Sequence, residues 1–80
     1  MELSGERLNL GRREADLSQE QLWLRCFALG GALQPVELEA VLHGALRPDR
    51  QTWNVIAHVL NERFDELGMS QRVAYNDLEP

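Results

Sequence analysis

Residues Asp49–Gly68 constrain the fold of this chain more than any other stretch. Trp53, Ile56, Ala57, Leu60, Phe64 and Leu67 recur at steps of three and four, which puts them on one face of an α-helix. At about 100° per residue, Asn54, His58, Asn61, Glu62 and Asp65 fall on the other side. Asp49 stands at the N-cap position, and Gly68 stands where a left-handed residue closes a helix. Met69 is then placed to fold back on the last turn. A helix with one wide apolar face needs other elements to cover it.

Two shorter helices precede this one. Ser18 is set to accept from the N–H of Gln21, and Gln21 to reach back, as in a capping box. Leu17 and Leu22 occupy the flanking positions of a hydrophobic staple. This helix is predicted near 18–30, with Gly30 and Gly31 ending it. A second is predicted near 35–44. Pro35 is tolerated in its first turn, where the N–H has no intrahelical partner, and Glu37 suits the positive end of the helix dipole. Leu33 and Leu38 repeat the staple spacing, and Leu38, Val41, Leu42 and Ala45 make its inward face. Gly44 is the predicted stop. Residues 47–49 turn the chain into the long helix, predicted near 49–67.

The ends read differently. Residues 1–16 mix charges, two glycines and scattered leucines, a composition too thin in apolar surface to offset ordering entropy. They are read as a flexible N-terminal arm. Val73 and Tyr75 are read as part of a C-terminal tail over the bundle, and residues 76–80 as frayed. The expected architecture is all-α: a small three-helix domain over residues 17–75.

The chain has 80 residues, enough for one domain, and a net charge of −5. A core of this size supplies only about 3–5 kcal/mol, which leaves room for stabilisation by a second chain. The acidic balance opposes non-specific binding to phosphate backbones. No run approaches the length of apolar residues that spans a membrane. Residues 1–7 lack the basic and apolar regions of a signal peptide, and Cys26 has no second cysteine to pair with. The expected setting is reducing and cytoplasmic.

Little in the chain points to chemistry. His43, His58 and Cys26 show no metal-ligand spacing, and Cys26 lies in an apolar run that reads as a structural thiol. No phosphate-binding loop and no nucleophile–base motif occurs. Asp65 and Glu66 are adjacent and project about 100° apart, so they do not form a close carboxylate pair. Neither catalysis nor a cofactor or metal is expected.

The feature that does point outward is the first predicted helix. From Leu29 through Leu22, Cys26, Trp23, Phe27 and Leu24 to Ala28, its apolar residues span about 260° of the circumference. Two neighbours in a three-helix packing do not easily cover that arc. Trp23, Leu24 and Phe27 are therefore the candidate contact residues for a protein partner or a second copy. The expected function is that of a small intracellular, non-catalytic interaction or regulatory module.

The alternative is a degenerate helix-turn-helix DNA-binding regulator. The short helix, Gly44 and the long helix give that motif's outline, with Arg47, Arg50 and Gln51 as DNA-contacting residues. In its register, however, Glu39, His43 and Arg50 fall on core positions, and Glu62, Asp65 and Glu66 follow. A third reading is an acidic mimic of nucleic acid that occupies another protein's basic groove.

Overall fold

The computed structural model describes residues 4–76. It contains α1 (Gly5–Glu14), α2 (Gln19–Ala28), α3 (Pro35–Leu42) and α4 (Arg50–Glu66), with no strand among the described residues. The all-α expectation holds, but the helix count is four rather than three.

Local chemistry sets the helix starts. Asp49 accepts the Thr52 N–H at 2.7 Å, and that bond holds its carboxyl below the usual range. At α2 the Ser18 hydroxyl accepts from Gln21 N–H at 3.0 Å while Gln21 accepts from Ser18 N–H at 2.8 Å. Glu37 reaches back to the Gln34 N–H at 2.8 Å, and Pro35 opens α3.

All four helices end the same way. Asp16, Gly30, Gly44 and Gly68 adopt left-handed φ values of 57°, 88°, 79° and 71°. The residue after each donates back to the last turn: Leu17 to Arg12, Gly31 to Cys26, Ala45 to Ala40 and Met69 to Phe64. This closure satisfies carbonyls that a helix end otherwise leaves bare. Asp16 is the one position of the four without glycine.

The extra helix, α1, lies where an arm was expected. Its inner face is Gly5, Leu8, Gly11 and Ala15, spaced at three and four. Only Leu8 carries bulk. The two glycines, which in the sequence count only toward a composition thin in apolar surface, are points of close approach. A Cβ on Gly5 would lie 1.7 Å from the carbonyl oxygen of Val41. At the far end of α1, Arg63 Nε donates to the Ala15 carbonyl at 3.1 Å, tying it to α4.

The packing alternates. α1 and α2 each contact both α3 and α4, whereas α3 and α4 do not run closely along each other. The common core holds Leu8, Leu22, Leu38, Leu42, Ile56, Leu60 and Phe64, among others, all essentially without solvent contact. Trp53, Ile56, Ala57, Leu60 and Phe64 are buried as the periodicity predicts.

Leu67 and Asn61 depart from that periodicity, and Ala45 departs from the inward face predicted for the helix before it. Leu67 is 41% exposed because the helix closes there and Met69 folds in against the core instead. Ala45 is exposed because the left-handed turn at Gly44 redirects the chain before it. Asn61, expected on the solvent side, is buried. It is covered by residues 71–76, which run back along α4. Asn61 accepts from Val73 N–H at 2.7 Å and donates to Val73 O at 3.0 Å. Trp53 Nε1 donates to Ala74 O at 2.8 Å. The frayed end expected at 76–80 lies outside the described residues apart from Asn76, which bonds to Asn54.

Candidate functional site

The exposed face of α2 is built by the way the helix is anchored. Leu22 and Cys26 point into the core, so residues on the opposite side of the cylinder point outward. Leu24 is 50% exposed and Phe27 61% exposed. Trp23 sits at the edge between core and surface. Its indole N–H donates to the Leu33 carbonyl at 2.8 Å, and its ring stacks on Phe27 with centroids 5.3 Å apart.

The three predicted contact residues therefore share one face with different roles. Trp23 is a half-buried buttress, fixed by its hydrogen bond. Phe27 is held against it in a defined position, and Leu24 extends the face. A rigid aromatic presented this way loses little conformational entropy when a partner covers it. Leu10, Val36 and Leu46 are also exposed. Isolated apolar side chains are ordinary on a protein surface, whereas an exposed aromatic stacked on a fixed indole, with an exposed leucine on the same side of the helix, is less so.

One edge of this face is polar. Arg25 donates from both terminal nitrogens to Glu66, at 3.1 and 3.2 Å, and Arg63 adds a third bond at 3.2 Å. These two guanidinium groups hold the Glu66 carboxyl below its usual range. On another side, Leu29 borders a cleft of about 340 Å³ between the end of α2, residues 30–33 and the start of α4. Cys26, Leu33, Val55 and Ile56 line it together with Glu37 and Asp49, whose carboxylates are engaged at the starts of α3 and α4.

The residues weighed for chemistry are dispersed. Cys26 is buried, and burial pushes its thiol up to about 11, where it is a poor nucleophile at neutral pH. His43 closes α3 against the Glu39 carbonyl at 2.8 Å. His58 lies on α4, 3.3 Å from the Tyr75 hydroxyl and 3.5 Å from Glu62. Among the described residues, no group of three His, Cys, Asp or Glu side chains is gathered as a metal site. No described helix is long and apolar enough to cross a membrane.

Arg47, Arg50 and Gln51 are all exposed at or near the start of α4. The α4 surface next to them carries the tail, with Asn54 engaged by Asn76. Glu39 and His43, which a helix-turn-helix register would bury, are exposed. The engagement of Asn54 and Asn61 by the tail is a polar arrangement that sequence reasoning missed, as are the Arg25–Glu66–Arg63 group and the Trp23 bond to Leu33. The trace of the tail contact in the sequence is two asparagines seven apart on an otherwise charged face.

Comparison of the chain with protein-family models, with curated proteins and with solved structures returned no match.

Proposed function

We propose that this chain is a small non-catalytic protein-interaction module whose contact surface is the α2 face of Trp23, Leu24 and Phe27. The observation that carries the reading is Phe27, 61% exposed and stacked on a hydrogen-bonded tryptophan. An aromatic anchor beside an aliphatic neighbour and a charged rim is the usual make-up of an interface centre. The simplest partner is a second copy, related by a two-fold axis through this face. A regulatory role in a reducing cytoplasmic setting goes with this reading.

DNA binding through Arg47, Arg50 and Gln51 is the weaker alternative. In that motif the two helices pack directly on each other, and here α3 and α4 do not run closely together.

Sedimentation equilibrium tests self-association through α2. The parent chain is expected to rise above its 9.1 kDa monomer mass with concentration. A folded Phe27→Glu variant is expected to remain a monomer over the same range. Equal behaviour of the two proteins counts against a two-fold contact at Phe27.

A further inference from the structure

The tail is gripped by its main chain. Asn61 exchanges two hydrogen bonds with Val73, and Asn54 exchanges two with Asn76, at 2.7 and 3.2 Å. Between them Trp53 donates to Ala74 O. Seven residues of helix separate the asparagines, a rise of about 10.5 Å, and three residues of extended chain cover about 10 Å. An extended chain laid antiparallel to α4 therefore meets both amides in register. All five bonds are to backbone atoms, so they are blind to side-chain identity.

Selectivity enters through neighbouring contacts. Val73 fits a notch opened by Gly11, where a Cβ would lie 3.1 Å from Val73 Cγ2 and 3.2 Å from Leu60 Cδ1. Arg72, one residue earlier, pairs with Asp65, and Gln71 donates to Glu14 at 2.8 Å. Acidic groups from α1 and α4 thus border one end of the grip. Next to Val73 a cleft of about 150 Å³ opens between α1, at Arg7, Leu10, Gly11 and Glu14, and the tail itself, with Trp53 and Phe64 at its base. The resident valine does not fill it. Gln71, Arg72, Ala74 and Tyr75 stay exposed, so among residues 71–75 only the Val73 side chain packs against the core.

We propose that the α1–α4 cleft is a receptor for an extended peptide with a cation followed by a branched aliphatic residue. The chain's own segment 71–76 is its displaceable occupant in cis. The pattern follows from Arg72 and Val73, and the unfilled cleft favours a residue larger than valine. This site is separate from the α2 face and does not depend on it.

The test uses the full chain carrying Val73→Asp, which places a charge in the apolar notch and releases the tail while leaving the receptor residues in place. The probe is a fluorescein-labelled peptide of residues 70–76 with Val73→Ile, followed by anisotropy. The variant is expected to bind it at least about tenfold more tightly than the parent, whose tethered tail competes at an effective concentration on the order of millimolar. Adding Asn61→Ala is expected to lower that affinity at least about tenfold, through loss of two main-chain bonds.

No binding by a folded Val73→Asp chain, or binding indifferent to Asn61→Ala, overturns the proposal. Amide exchange on the parent gives an independent decision that needs no variant. The Val73 and Asn76 N–H groups are expected to exchange at least about a hundredfold faster than Leu60 N–H. Exchange at the Leu60 rate means that the tail leaves only on global unfolding, which also overturns it. A dimer abolished by Asn61→Ala but not by Phe27→Glu would identify a second copy's tail as the occupant, and the partner-peptide assignment would fall.

Discussion

Asn61 shows how far a side chain's type can mislead about its place. Its angle on α4 puts it at the edge of the buried face, and only the returning tail decides which side of that edge it occupies. Because Val73 lies twelve residues away and is bound through its backbone, no side-chain pattern advertises the pairing. Periodicity alone makes Asn61→Ala neutral; the two bonds to Val73 make it costly. The substitution is expected to destabilise by about 1–3 kcal/mol, because it leaves a partly buried N–H and C=O without partners. Urea denaturation reads this directly, and an unchanged midpoint would contradict it. Gly5 makes the matching case for a residue that looks dispensable. Alanine favours a helix intrinsically, yet a Cβ here meets the Val41 backbone, which has no rotamer to yield. Gly5→Ala is expected to cost about 1–3 kcal/mol as an overpacking change, and a raised melting temperature would show that α1 does not approach α3 as described.

At the level of elements, the ends of helices were the most legible part of the chain. Caps are local: Ser18 with Gln21, Asp49 with Thr52 and the glycines at 30, 44 and 68 each act within a few residues. The existence of α1 was the least legible. Gly5 and Gly11 present no apolar bulk, so the contact they make depends on Val41, Leu60 and Val73 from distant segments. The carboxylates at helix ends give this level its pH dependence. Asp49 and Glu66 both have folded values below their ordinary ones, lowered by the Thr52 N–H and by the two arginines respectively. Depressed carboxyls contribute stability that is complete above the unfolded value and is lost as pH falls through the folded one. Stability is therefore expected to decline as pH drops from about 5 to about 2. Asp49→Asn keeps a capping oxygen but cannot titrate, so the decline should be shallower in that variant. Denaturation midpoints at a series of pH values check this, and parallel curves for the two proteins would exclude Asp49 as a contributor.

For the whole molecule, the sequence conveyed the excess of apolar surface on α2 but not how it would be divided. Leu22 and Cys26 went to the core, Trp23 to a hydrogen-bonded edge, and Leu24 and Phe27 to the outside. That division depends on α1, which joins α3 and α4 in the packing and leaves the outer side of α2 uncovered. The function proposed above rests on what meets that side. Site-specific photo-crosslinking from position 27 in the intact cell is the most direct measurement. A photoreactive phenylalanine analogue at Phe27 is expected to give one discrete adduct, either with a second copy or with one other protein. Adding Leu24→Glu is expected to abolish it, and the same group placed at exposed Glu39 on α3 is expected to give none. The absence of any adduct at position 27, or an equal yield from position 39, would contradict an interaction surface on α2.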